Sequence, residues 1–331
     1  MSSGVTTVFG ANGFLGSRVV RRLLDSGRDV RVMVRPTSDT RNLDDLDVER
    51  VVGELGDQDA VGRALAGAEA AIYCAVDTRA WIRDPKPLWH SNVEVLDGVL
   101  DVAARADLHR FVYTSSMCTI GRVRGRCATP DDAFNWESHA NTYVRSRVAG
   151  ERVALAATDR GVPVVAMCVS NTYGAGDHKP TPHGAFVAGA ALGKLPFGVR
   201  GMRAETVGVD DAADALVRAS QKGTIGRRYI VSGEFLDLGD IIAMAADEAG
   251  VAPPRPTLPR PAMYALGAAG DLRSRITRAQ QQLSVDTVRL MHVMSPMDHS
   301  ATTSDLDWHP RPVEESVRAA ARYWVQRRRS R

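Results

Sequence analysis

The sequence predicts an α/β protein built on a doubly wound parallel sheet, and three observations carry that expectation. Short β-branched apolar runs alternate with helix-period segments through the first 170 residues, the rhythm of strand–helix–strand units. A glycine cluster, Gly10-Ala-Asn-Gly13-Phe-Leu-Gly16, separates the first apolar run from the first helical segment. A chain of 331 residues with 44% hydrophobic content has material for one large α/β domain or two smaller ones.

The elements follow in order. Val5–Phe9, unbroken in β-branched and aromatic residues, reads as the first strand. A helix from Phe14 to Ser26 stops at Gly27, a residue type suited to helix ends. Strand Val30–Val34, short strand Val48–Val52, helix Asp57–Leu65, strand Ala70–Ala75, helix Trp89–Arg105 and strand Arg110–Thr114 come next. Helix Thr142–Thr158 leads into strand Val162–Val169, with Gly161-Val162-Pro163 as punctuation. Beyond Ser170 the composition turns to Gly, Pro and His, and later a proline-marked loop runs from Pro253 to Pro261. Thr206–Val209, Asp210–Lys222 and Arg228–Val231 repeat the strand, helix, strand rhythm, so 206–232 is expected to return to the first unit.

Charge and cysteine usage exclude several classes. Lys+Arg of 42 against Asp+Glu of 39 leaves a net charge of +3, too weak a field to make nucleic acid or anionic lipid a main partner. Only Lys86, Lys179, Lys194 and Lys222 are lysines, so the cations are overwhelmingly arginine. Arg327-Arg328-Arg329 and Arg331 read as a frayed, solvated tail. Cys74, Cys118, Cys127 and Cys168 lack Cys-x-x-Cys spacing and fit a reducing compartment, which suggests the cytoplasm. The longest apolar candidate, Gly184 to Leu192, falls well short of the ~20 residues a membrane span needs. Val5–Phe9 runs straight into glycine and leaves no room for a cleavable leader.

Glycines between a strand and a helix suit a dinucleotide: a tight turn at Gly10, close approach of a pyrophosphate at Gly13, close helix packing at Gly16. Asn12, Phe14 and Leu15 complete this loop. The fold expectation is therefore a Rossmann sheet, with residues 1–170 the dinucleotide-binding domain and 171–331 mainly a smaller, interleaved substrate-binding region. An acid at the end of the second strand would favour NAD; Arg35 stands there, followed by Ser38 and Arg41, and a guanidinium suits the 2′-phosphate of NADP(H). Arg35 can also be read as one more surface arginine, which leaves NAD(H) open.

Three stretches in order, the Gly10/Gly13/Gly16 loop, Phe111-Val-Tyr-Thr-Ser-Ser116 and Tyr143-Val-Arg-Ser-Arg147, resemble the extended short-chain dehydrogenase/reductases. These are the NAD(P)-dependent epimerase/dehydratase family, which includes dihydroflavonol-reductase-like proteins. Asp177-His-Lys-Pro-Thr-Pro182 and Leu306-Asp-Trp-His-Pro-Arg-Pro312 look most like its hopanoid-associated sugar-epimerase-like members. The resemblance implies that Ser116 hydrogen-bonds the substrate oxygen and that Tyr143 is the general acid/base during hydride transfer. It further implies that Glu54 and Leu55 border the adenine and that Ala75, Val76 and Val169 line the ribose and nicotinamide. Asp77, Arg79, Met117, Asn171 and Thr172 are candidates for the substrate side, and family members often dimerise through helices of the first domain. No residues suggest a metal site: His178 and His183 lie in a Pro/Gly loop without ligand spacing.

The chain departs from the family where lysine should follow Tyr143 by four residues and Arg147 stands instead. On a helix that spacing puts both on one face, so the charge reaches the phenol region. A planar fork is not an equivalent donor to a compact ammonium, however. One reading is a working NADP(H)-dependent oxidoreductase interconverting a carbonyl and a secondary alcohol, with Arg147 in lysine's place. The others are a sugar-nucleotide epimerase or dehydratase with a retained cofactor, and a cofactor-binding regulator with little turnover. The broad tilt of the composition toward arginine offers a plain explanation for both Arg147 and Arg35.

Overall fold

The computed structural model describes residues 4–82, 84–277, 283–292 and 294–329. The first half runs β1 (Val5–Phe9), α1 (Phe14–Asp25), β2 (Val30–Val34), β3 (Glu49–Val52), α2 (Gln58–Leu65), β4 (Ala68–Tyr73) and α3 (Lys86–Trp89). A π-turn, His90–Glu94, then leads into α4 (Val95–Ala103), β5 (Arg110–Ser116), α5 (Thr142–Ala156) and β6 (Val164–Val169). The second half contributes β7 (Asn171–Tyr173), α6 (Gly184–Ala191), β8 (Gly198–Arg200), β9 (Arg203–Gly208), α7 (Val209–Lys222), β10 (Arg228–Val231), β11 (Glu234–Asp237) and α8 (Leu238–Glu248). It ends with β12 (Thr257–Pro259), α9 (Arg260–Thr277), α10 (Val285–Leu290), α11 (Ser300–Leu306) and α12 (Val313–Arg329).

A seven-stranded parallel sheet in the order β10-β6-β5-β4-β1-β2-β3 forms the centre, so the expected Rossmann architecture is what the chain adopts. Neighbouring residues of each strand face opposite sides, and both sides are apolar. Val8, Val32, Ile72, Val112 and Val165 pack under α1 and α7. Phe9, Met33, Tyr73, Phe111 and Val164 pack under α2, α4 and α5. Crossovers run outward from β1 in one direction and from β4 in the other, which opens a crevice at the carboxyl ends of β1 and β4.

A three-stranded sheet, β11-β9-β7, and the pair β12-β8 make up the smaller region, with a separate core built from α6, α8 and α12. Three details differ from the sequence expectations. The helix expected over Trp89–Arg105 is interrupted by the π-turn, where Asn92 is buried and turns its side chain to a neighbouring loop. Strand β9 joins the smaller sheet, while α7 and β10 join the main one. Arg327–Arg329 are helical and not a frayed tail: Arg327 donates to the His178 carbonyl at 2.8 Å. Arg331 lies outside the described residues. Among those described, no helix is long and apolar enough to cross a membrane.

Candidate active site

The glycine loop sits at the crevice. Gly10 has φ +72°, and a Cβ there would come within 2.6 Å of the Ala75 backbone nitrogen, so only glycine lets the loop lie against the end of β4. Helix α1 starts with Gly13 as N-cap, has no side-chain cap and carries no acid in its first turn. Its first N–H groups, and the positive end of its dipole, are therefore open to an anion. Leu15 packs on the core below, Phe14 approaches Gly174, and Asn12 donates to the Asp39 carbonyl at 3.4 Å. This cradle fits a dinucleotide diphosphate on its own geometry.

At the end of β2, Arg35 is exposed, and no ion pair or side-chain hydrogen bond involves its guanidinium among the described residues. Ser38 accepts from the Arg35 backbone N–H at 3.3 Å. The nearby carboxylate of Asp39 is engaged by Arg41 at 2.9 Å, which holds its pKa down to about 2. Gly53 donates to the Val34 carbonyl at 3.0 Å and so brings the Glu54–Leu55 turn beside Arg35; Glu54 is exposed and Leu55 packs on the core.

Beyond β4, Ala75 lies against Gly10 and Val76 is 38% exposed. Asp77 and Arg79 pair with each other at 2.5 Å. Asn92 takes the Asp77 backbone N–H at 2.8 Å, donates to the Asp77 carbonyl at 3.0 Å and donates to Ser146 on α5 at 3.1 Å. This staple sets the loop's position relative to the helix that carries Tyr143.

Strand register places Ser116 beside Val169, and α5, capped by Asn141 accepting from Val144 at 3.0 Å, brings Tyr143 to the same strand ends. Burial, with Cys118 adding to it, pushes the Tyr143 phenol up to about 12; Arg147 and a hydrogen-bonding interaction with the Ser116 side chain pull the other way. Arg147, 2% exposed, donates from Nη2 to the Thr114 carbonyl at 2.5 Å and lies 5.5 Å from the Tyr113 ring centre. Its Nε is buried without a partner among the described residues. Burial opposes its charge, but the Tyr113 and Tyr143 phenols outweigh that and hold its pKa above the ordinary guanidinium value.

Among the remaining candidates, Met117 and Thr172 are buried and Asn171 is half-buried at the start of β7. Two residues behind the site were not singled out from the sequence. One is Asn92. The other is Glu151, four residues after Arg147, which accepts from Ser115 at 2.5 Å, Thr119 at 2.7 Å and Arg228 at 3.1 Å. The only signal for Glu151 was an acid on the inward face of α5, which spacing alone does not distinguish from a solvated one.

A crevice with an open glycine loop, beside Ser116, Tyr143 and Arg147 at the carboxyl ends of a doubly wound sheet, is where proteins of this fold class bind nucleotides. The chain belongs to the NAD dependent epimerase/dehydratase family, whose pattern it matches over residues 6–232. Among its relatives is a Synechocystis sp. protein named "Putative dihydroflavonol 4-reductase", 33% identical over 258 residues, which are 76% of this chain and 74% of that one. Sterol demethylase protein B of Methylococcus capsulatus is 28% identical over 330 residues, 97% and 98% of the two chains. The crystal structure of gox2253 superposes with a TM-score of 0.85 at 31% identity, covering 98% of each chain.

Proposed function

We propose that the protein is an NADP(H)-dependent oxidoreductase that interconverts a carbonyl and a secondary alcohol. The observation that carries this reading is the convergence of Ser116, Tyr143 and Arg147 next to the glycine loop, within a family of NAD(P)-dependent enzymes. Gly10, Asn12, Gly13, Phe14, Leu15 and Gly16 would cradle the diphosphate, and Ala75, Val76 and Val169 the nicotinamide half. Arg35, with Ser38, would take the 2′-phosphate, since its guanidinium is uncommitted and Asp39 is occupied by Arg41. When bound, the nicotinamide supplies the hydride for reduction or accepts it for oxidation.

The chain's own groups handle the oxygen. Ser116 Oγ donates a hydrogen bond to it, and Tyr143 Oη gives its proton as the carbonyl becomes an alcohol. A phenol held near 12 stays protonated at neutral pH, which suits reduction. The Arg147 charge steadies the phenolate left behind, and its bond to the Thr114 carbonyl fixes where that charge sits. The names of these two relatives, a putative dihydroflavonol 4-reductase and a sterol demethylase protein B, support redox chemistry on organic substrates without selecting one.

The test is consumption of added cofactor. Purified protein, freed of bound nucleotide, should oxidise added NADPH in step with ketone consumed. Turnover that needs no added nucleotide and leaves a bound cofactor unchanged would replace this reading with that of an epimerase or dehydratase.

A further inference from the structure

We propose that the substrate side carries a built subsite for an anionic group, a carboxylate or a phosphate, formed by Arg122, Arg289 and His292 with Tyr264. This rests on the oxidoreductase reading and deepens it by giving its substrate a charged end.

Arg122 follows Ser116 by six residues, on the loop leaving β5, and that loop is locked at both sides. The Arg122 N–H donates to Asn135 Oδ1 and Asn135 Nδ2 donates to the Arg122 carbonyl, each at 2.9 Å. Next to it, the Val123 N–H donates to Ser295 Oγ at 3.1 Å, and that hydroxyl donates to the Val123 carbonyl at 2.9 Å. The guanidinium carbon sits over the buried Trp136 ring, 4.0 Å from its centre. Both Nε and Nη2 are shut away from solvent and have no hydrogen-bond partner among the described residues. Those two donors form one edge of the guanidinium, the edge that grips both oxygens of a carboxylate or phosphate at once.

The charged neighbours of Arg122 are positive as well. Burial and the neighbouring Arg289 pull the Arg122 pKa down to about 10, and Tyr264 acts in the opposite sense. His292 is held below its ordinary value by burial, and Arg260, Arg122 and Arg289 add to the effect while its bond to the Val288 carbonyl resists it. Its ring nitrogens meet the Tyr264 hydroxyl at 3.1 Å and the Val288 carbonyl at 2.9 Å, which orients the imidazole. Arg289 has a carboxylate, Asp286 of its own helix, but at 3.4 Å and largely exposed. Buried orphan donors and like charges cost stability unless a counter-ion completes them.

The position ties this subsite to the candidate active site. Trp136, on which Arg122 rests, shares an apolar cluster with Tyr143, Met117, Cys118, Ile120 and Leu290, the residue after Arg289. A substrate reaching from Tyr143 to Arg122 would therefore have a reactive carbonyl, an apolar body and an anionic end.

The experiment has two independent arms. In the first, thermal unfolding of the full chain without nucleotide is followed in sodium phosphate and in sodium acetate, each against sodium chloride at equal ionic strength. Phosphate or acetate should stabilise the native chain beyond chloride, and Arg122→Gln and Arg289→Gln should each remove at least half of that gain. Whichever anion acts names the group. Equal gains in native chain and both variants, or none in any of them, overturn the subsite, because an anion on the glycine loop would not depend on Arg122. In the second arm, methyl ketones ending in a carboxylate are compared with their methyl esters, using NADPH. The acid-to-ester ratio of kcat/KM should fall at least tenfold in Arg122→Gln, and an unchanged ratio overturns the assignment. Absence of NADPH oxidation with every ketone would defeat the oxidoreductase reading while leaving the first arm to judge the subsite.

Discussion

The stretches that carry Ser116, Tyr143 and Arg147 stood out in the sequence through their resemblance to a known family, and that resemblance rests on local features: hydroxyls at a strand end, and a phenol and a cation one helical turn apart. Where the Arg147 side chain goes was not legible. It turns beneath the strand end to the Thr114 carbonyl, a contact set by packing over the Tyr113 ring and not by spacing. Asn92, Glu151 and Arg122 escaped notice for the same reason, since their partners or lack of them depend on chain segments far away in sequence. Arg35 has two readings in the sequence, a 2′-phosphate ligand or one more surface arginine, and its guanidinium is exposed with no ion pair among the described residues. Arg35→Ala should weaken NADPH binding by roughly tenfold, the scale of one lost charge-assisted contact of ~1.5 kcal/mol, with a smaller effect on NADH. Fluorescence titration of both cofactors checks this, and equal losses would make Arg35 a bystander.

At the level of elements, short β-branched apolar runs and helical periodicity identified the strands and helices of the first half to within a few residues. The π-turn was missed because it keeps helical periodicity nearly intact while rotating Asn92 inward. The loop after β7 was read as rich in Gly, Pro and His and as carrying a family resemblance at Asp177–Pro182, but not as burying Asp177, which is 4% exposed and accepts from the Thr181 N–H and hydroxyl at 2.8 and 2.9 Å. Burial pushes its pKa up to about 6, with the Thr181 bonds resisting. An unfolded carboxyl titrates near ~3.9, so between those values the native state holds more protons and stability falls as pH rises. The cost is complete above about 6 and amounts to roughly 3 kcal/mol. Asp177→Asn should therefore flatten the decline in urea-unfolding free energy between about pH 4 and pH 7. A decline as steep as in the unaltered chain would mean that another group is responsible.

Over the whole molecule, sheet topology decides where a nucleotide can bind, and topology was inferred correctly from alternation alone because parallel strands buried on both faces need helices between them. The smaller region resisted reading: its short strands pair across long sequence distances, β7 with β9 and β8 with β12, and short segments carry little periodicity. The two regions meet over the crevice. Asn12 holds the Asp39 backbone, Asp39 lies 3.5 Å from both His178 Nε2 and Lys179 Nζ, and Arg327 of the last helix donates to the His178 carbonyl. Loops from both halves thus frame the nucleotide cradle, while the proton chemistry is assigned to a single phenol between them.

That assignment is tested most directly by NADPH-dependent ketone reduction with the native chain and with Tyr143→Phe, followed across the neutral pH range. The rate of the native chain should stay level with pH, because a phenol held at about 12 remains protonated throughout. Removing the hydroxyl should lower kcat by at least about a hundredfold, with NADPH still bound. A phenylalanine variant that reduces the ketone as fast as the native chain would contradict the assignment.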